Sequence, residues 1–366
     1  MKRILFSLFT AAMLTASIAA PFATGISKVY ADPDGALTNT SFAATGHYGI
    51  VADGIGLNGK DDSAEAATRT VQLDVPGSVV RAYLYWAGYH GSADGSTLDS
   101  IAVAVDGDPT PDTVMADEAY GPEEWAGSFY HFVFMADVTS LVQSGGHDYT
   151  FSGAGLTFTE NYGAGLMVVY QDAALPLSYV VISDGLDSFF CDYGAPQGPD
   201  SEITFFDFAT DAADRSVDIT LFAGGVENDT RPNSLWYETG SGAKPANLVD
   251  EASATELTDS PPPYPLTAAD AACWDTFNSS GEITIPAGDS WLGLQLESVS
   301  DVSGETGCEA LFVAAGMVIP GIGGHCTATD DYIVCTDKND YTSGETVHIS
   351  GGGFAAGAEL TIRVTR

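Results

Sequence analysis

The residues of this chain that could do chemistry are overwhelmingly carboxylates, and three loops gather aspartates closely enough to present several oxygens to a hard cation. These are Asp106/Asp108/Asp112, Asp184/Asp187/Asp192 and Asp330/Asp331/Asp337/Asp340. Calcium takes about six to eight oxygens, which clustered aspartates and loop carbonyls supply together. None of the loops has the EF-hand order, since Asp106-Gly107-Asp108-Pro109 lacks the central glycine and the closing glutamate. The competing reading is of aspartates that cap turns. Structural calcium is the cofactor this pattern raises, with Asp184, Asp187, Asp106 and Asp108 as its candidate ligands.

A second chemistry is offered by flat aromatic faces, which can stack on sugar rings. Trp125 and Trp236 fall in loop or edge contexts and are the candidate ligand-binding residues, whereas Tyr83, Tyr85 and Tyr130 lie in strands and read as core. A hydrolytic site is not singled out: with 50 acidic residues a carboxylate pair can be drawn anywhere, and no Gly-x-Ser-x-Gly elbow is present. The six histidines are scattered singly, and His131, inside an apolar run, reads as a packed side chain. Catalysis is therefore not expected. The five cysteines, Cys191, Cys273, Cys308, Cys326 and Cys335, have no zinc spacing and are disulfide candidates. Cys326 and Cys335 suit a local bridge; no pair can be chosen among the other three.

The elements that must position these residues are strands. Leu166–Tyr170 and Leu177–Ile182 are short apolar runs joined by Asp172 and Pro176, and they predict a core hairpin. Val71, Leu73 and Val75 alternate with Gln72 and Asp74. Val79–Trp86 is apolar on both faces except at Arg81, as in a central strand of a two-layer stack, and Arg81 is expected to pair with an acid. Asp137 caps a short turn before Val142. Thr267-Ala268-Ala269-Asp270 follows a capping-box pattern, which predicts one helix over Ala268–Phe277. The fold class is all-β: a large β-sandwich or jelly-roll-like domain with one short helix, followed by a partial C-terminal immunoglobulin-like hairpin.

Residues 1–31 have the layout of a signal peptide, with Lys2 and Arg3, an apolar run to Ala20, and small residues before a cut after Ala31. That cut removes three cations and no acid, so the mature chain is more acidic than the net −38 of the whole. A field of that sign disfavours nucleic acid and anionic lipid. No later run is long enough to insert in a membrane. Residues 32–320 form the main domain, and 321–366 a linker and an incomplete second module.

The succession Ala82-Tyr83-Leu84-Tyr85-Trp86, Asp137-Val138-Thr139, Gly165 to Asp172 and Ser183-Asp184-Gly185 resembles an uncharacterised extracellular β-sandwich domain of bacterial and archaeal surface proteins, over about residues 40–320. The tail Asp337 to Val364 resembles the first half of an immunoglobulin-like repeat. These resemblances imply location and modular build, and carry no catalytic residues. The expectation is an exported structural or adhesive module of a cell-surface or secreted protein, with other surface proteins or glycans as partners. A carbohydrate-binding module is the alternative, and a secreted hydrolase the third reading.

Overall fold

A computed structural model describes residues 35–57, 67–124, 127–190, 198–226, 233–257, 266, 273–279, 281, 283–298, 310–321, 326–328, 333–336 and 349–352. The described residues are all-β, as the turn-punctuated apolar runs predict, and their strands form five antiparallel sheets, four of them stacked in layers. Sheet I has the order β3 (Thr68–Val75), β9 (Gly145–Ser152), β5 (Ser100–Val105), β6 (Asp112–Met115). Sheet II runs β2 (Tyr48–Ile55), β10 (Glu160–Gln171), β4 (Ser78–His90), β8 (Tyr130–Asp137), β7 (Glu118–Glu124). Sheet III runs β1 (Asn39–Gly46), β11 (Ser178–Phe189), β19 (Ala310–Pro320), β13 (Arg215–Gly224), β16 (Trp274–Asn278), with β17 (Ile283–Ile285) also on β13. Sheet IV runs β12 (Thr204–Asp207), β18 (Trp291–Ser298), β14 (Asn233–Gly240), β15 (Thr255–Leu257).

Three cores separate the four layers. Leu73, Val103 and Phe151 of sheet I meet Leu84, Trp86 and Val168 of sheet II. The opposite face of sheet II, with Tyr85, Val133 and Met167, packs on Ile182, Phe222 and Trp274 of sheet III. The far face of sheet III, with Val181, Ile219 and Met317, closes on Leu235, Leu294 and Leu296 of sheet IV. Successive strand residues point to opposite faces, so β4 divides cleanly: Ala82, Leu84 and Trp86 go one way, Tyr83, Tyr85 and Ala87 the other. The two-sided apolarity of Val79–Trp86 thus marks an inner sheet of a four-layer stack, deeper than the two layers expected. Truncating Leu84, which is wholly buried, to alanine should cost about 2–5 kcal/mol in urea or thermal unfolding. An unchanged midpoint would remove Leu84 from the core.

The hairpin expected between Leu166 and Ile182 does not form. β10 pairs with β2 and β4 in sheet II, whereas β11 pairs with β1 and β19 in sheet III. The physical reason lies in the partner segment: β1 and β2 bend at the same place, so the two segments make one ribbon that changes layer at a shared corner. Gly46 is opposite Ser178 on one side of the bend and Tyr48 opposite Gln171 on the other. His47 holds the corner, its carbonyl accepting from the Asp172 N–H at 3.0 Å and its Nδ1 lying 2.7 Å from the Leu175 carbonyl. Strands that switch sheets at such corners are a normal way of joining packed layers.

The helix expected over Ala268–Phe277 is also corrected. Trp274–Asn278 is strand β16, paired with β13, and among the described residues there is no helix. Trp274 and Asp275 are adjacent and both buried, an alternation between two covered faces that a strand satisfies, and tertiary burial overrides the local capping signal. Residues 267–272 lie outside the described set. In the tail, β20 (Cys326–Ala328), β21 (Ile333–Thr336) and β22 (Ile349–Gly352) form a small antiparallel sheet in which Cys326 is directly opposite Cys335. Val138 and Leu141 close a turn after Asp137, whose Oδ1 accepts from the Thr139 N–H at 2.9 Å. Arg81 lies 4.0 Å from Asp137, both half-exposed, a geometry that contributes little.

Candidate functional site

The fold parts Asp184 from Asp187, whereas Asp106 and Asp108 stay in one turn. Asp184 is fully buried between sheets II and III. Its Oδ1 accepts from Asn39 Nδ2 at 2.8 Å and Tyr120 OH at 2.5 Å, and its Oδ2 accepts from Tyr85 OH at 2.7 Å and from Ser41 Oγ. Tyr83 OH adds a bond to the Ser41 carbonyl at 2.6 Å, so β1, β4, β7 and β11 are laced together around one carboxylate. Burial pushes the Asp184 pKa up and the four donors pull it back, with burial the larger effect. The Tyr85 and Tyr120 hydroxyls are raised, first by burial and then by the neighbouring Asp184 charge.

One extra residue in β11 between Asp184 and Asp187 breaks the register and turns the next acid away. Asp187 accepts from the Glu202 N–H at 2.8 Å. Asp106 and Asp108 sit in an Asp-Gly turn with positive φ at Asp106 and Gly107, the backbone that favours those two residue types. Asp106 receives the Asp148 N–H at 3.0 Å and faces His147 Nδ1 at 2.8 Å, and Asp108 receives the Thr110 N–H at 2.9 Å. These bonds hold the Asp106 pKa down and, from Asp106, the His147 pKa up. Among the described residues no group of three or more His, Cys, Asp and Glu side chains is arranged to hold a metal ion. Asp112 lies in β6; Asp192 and the aspartates of 330–340 lie outside the described residues.

Trp236 occupies the middle of β14, between β15 and β18, rather than a loop or a sheet edge. Its half-buried ring is on the outer face of sheet IV, and its Nε1 donates to Glu297 at 2.6 Å. Burial raises the Glu297 pKa to about 7; the Trp236 bond opposes this, and Asp200, Asp250 and Glu256 reinforce it. The sign follows from linkage: a carboxyl whose folded pKa is raised favours the fold while protonated, and that contribution is lost as pH climbs from about 4 through about 7. A Glu297→Gln variant should therefore gain stability relative to the parent between about pH 5 and pH 8, read as melting point against pH. A flat difference would show that Glu297 titrates normally.

Trp125 lies outside the described residues, as do Cys191 and Cys308. Cys273 is buried, with its backbone bonded to Val226 and Gly225. His131 is wholly buried, with Nδ1 3.0 Å from Ser188 Oγ and Nε2 3.1 Å from Tyr162 OH, the packed histidine that its apolar strand implies.

A concave surface lies elsewhere, along the outer edge of β2. An open cavity of about 640 Å³ is lined by Ile50 and Asp53 of β2, Asp74 of β3, Asp218 of β13 and Asn278 of β16. Tyr170, near the corner of the bent ribbon, also lines it. Among the described residues, no Lys, Arg, His or Cys lines it. Sequence reading missed this site because its residues come from several strands of three sheets. The only local signal was polar residues at alternate strand positions, Asp74 between Leu73 and Val75, and Asp218 between Val217 and Ile219.

Residues 35–249 match the family described as "Protein of unknown function (DUF3344)", and the chain belongs to that family. No curated protein matches the sequence. Among solved structures, PNGase F, a glycosylasparaginase from Flavobacterium meningosepticum, aligns at 14% identity over 75% of this chain and 96% of its own, with a TM-score of 0.22. An infectious bursal disease virus structure, Gx strain, aligns at 10% identity over 79% of this chain and 75% of its own, with a TM-score of 0.27. Likenesses at that level carry no argument about activity.

Proposed function

We propose that this member of the DUF3344 family is an exported structural or adhesive module of a cell-surface or secreted protein, which holds a surface protein or glycan non-covalently. The observation that carries the reading is the cavity along β2: it is open, sized for a ligand, and lined by carboxylates, tyrosines and two amides, without histidine or cysteine among the described residues. The signal-peptide layout of residues 1–31 and the acidic composition support export.

The test is to display the mature chain on cells and measure attachment to arrayed surface proteins and glycans, alongside a screen of hydrolase substrates. Saturable attachment that is lost in a Tyr170→Ala, Asp218→Ala variant, without turnover, is expected. Turnover that disappears on changing one carboxylate would replace this reading with a hydrolase. The carbohydrate-binding alternative is favoured by one observation, the half-buried Trp236 ring among carboxylates on the outer face of sheet IV. Glycan binding abolished by Trp236→Ala would select it.

A further inference from the structure

We infer that the cavity along β2 is a strand-docking slot for an extended, lysine- or arginine-bearing segment of another protein, which would join sheet II beside β2. The inference rests on the binding-module reading above and names its partner chemistry. Three observations lead to it.

β2 is the end strand of sheet II, paired through all eight of its residues with β10 on one side only. In an antiparallel pair every second residue turns its N–H and C=O away from the partner. The Gly54 N–H donates to Asp53 Oδ1 at 2.9 Å rather than to β10, which places Gly54 in that outward set, and Ala52 and Ile50 share its parity. An added strand would find the Ile50 and Ala52 groups of that set along the cavity.

The two edges of sheet II are treated differently. β7, at the far edge, carries Pro122, a register break between Tyr120 and Glu123, and three glutamates, all devices that blunt an edge against pairing. β2 reads YGIVADGI, with no proline, no lysine and an unbroken register. It lies in the layer between sheets I and III, and residues of β3 and β13 line the cavity beside it.

Charge then selects the occupant. An added strand would point alternate side chains to opposite sides, one row toward sheet I, where Asp74 lines the cavity, and the other toward sheet III, where Asp218 does. Both rows meet carboxylates, and among the described residues no cation lines the slot. A second copy of this chain, at net −38, is repelled, and a basic segment is drawn in.

The experiment titrates the mature protein into a fluorescein-labelled peptide of alternating lysine and valine at constant ionic strength, reading anisotropy. Saturable binding is expected, weakened about tenfold by N-methylation of alternate peptide amides and about tenfold by the double change Asp74→Asn, Asp218→Asn. The second substitution retains the side-chain oxygen that in the parent receives the Gly281 N–H on Asp218, so the fold is kept, and the melting point confirms it. Equal binding of the methylated and plain peptides would overturn strand addition, leaving only charge attraction. Absence of saturable binding by a protein that still attaches to its surface partner would overturn the occupant proposed here while leaving the adhesive reading intact.

Discussion

Replacing Asp184 by alanine is expected to destabilise the folded chain by about 3–5 kcal/mol, with loss of cooperative unfolding at moderate urea. The size of the effect comes from what remains. Tyr85 and Tyr120 are buried residues whose hydroxyls donate to the Asp184 oxygens between sheets II and III, and losing that acceptor leaves them buried without it. Ser41 and Asn39, nearer the surface, can be rehydrated, so the cost falls mainly on the two tyrosines. Asp184→Asn keeps the shape and isolates the charge. Because burial raises the Asp184 pKa, the carboxyl stabilises the fold most when protonated. The advantage of the parent over Asp184→Asn should thus be largest below about pH 4 and shrink as pH rises. The opposite slope would mean that the four donors outweigh burial and that the ionised form is the stabilising one.

The second large effect is expected at Trp274, for which alanine should cost about 3–5 kcal/mol. The indole is wholly buried between sheets II and III and packs on Phe222 with ring centres 5.5 Å apart. Sheet II accommodates it by having glycine where a side chain would collide: a Cβ at Gly54 would run into the indole Nε1, and one at Gly163 or Gly165 would meet the ring at 2.9 Å. A large cavity would follow its removal, since the backbone of β2 and β10 cannot collapse into the space. Trp274→Phe should be far milder, because it keeps an aromatic ring and removes a buried Nε1–H that has no hydrogen-bond partner. If alanine and phenylalanine cost the same, the ring is not what fills the layer.

The strands were legible in the sequence wherever apolar residues alternated or ran together, as in Val71–Val75 and Val79–Trp86. What could not be read was which strands share a sheet. The run Leu166–Ile182 has every local mark of a hairpin, and only the partner segment Asn39–Ile55, with its own bend at His47, turns it into a change of layer. Pairing partners lie too far off in sequence for local pattern to disclose them. For the candidate site the same limit applied with more force. Asp184 stood out by its place after an apolar strand, but its four donors come from β1, β4 and β7, so a saturated buried carboxylate and a calcium ligand look alike in sequence. Trp236 was found as an aromatic residue, and its acid partner Glu297 is 61 positions away. The β2 cavity left almost no trace, since a sheet edge is defined by what does not pair with it.

The central place of β19 between β11 and β13 has a kinetic consequence. Sheet III begins with β1 at Asn39, whose bond to Asp184 already spans 145 positions, yet the strand that joins its halves is supplied only by residues 310–320. Until that segment arrives, β1 and β11 form one fragment and β13 and β16 another, and the inner faces of sheets II and IV have nothing continuous to close upon. Chains dominated by such distant pairings pay loop closure before contacts reward it and fold slowly. The four layers are therefore expected to consolidate late and nearly together, and a chain ending before Ala310 should remain protease-sensitive throughout rather than contain a stable front half.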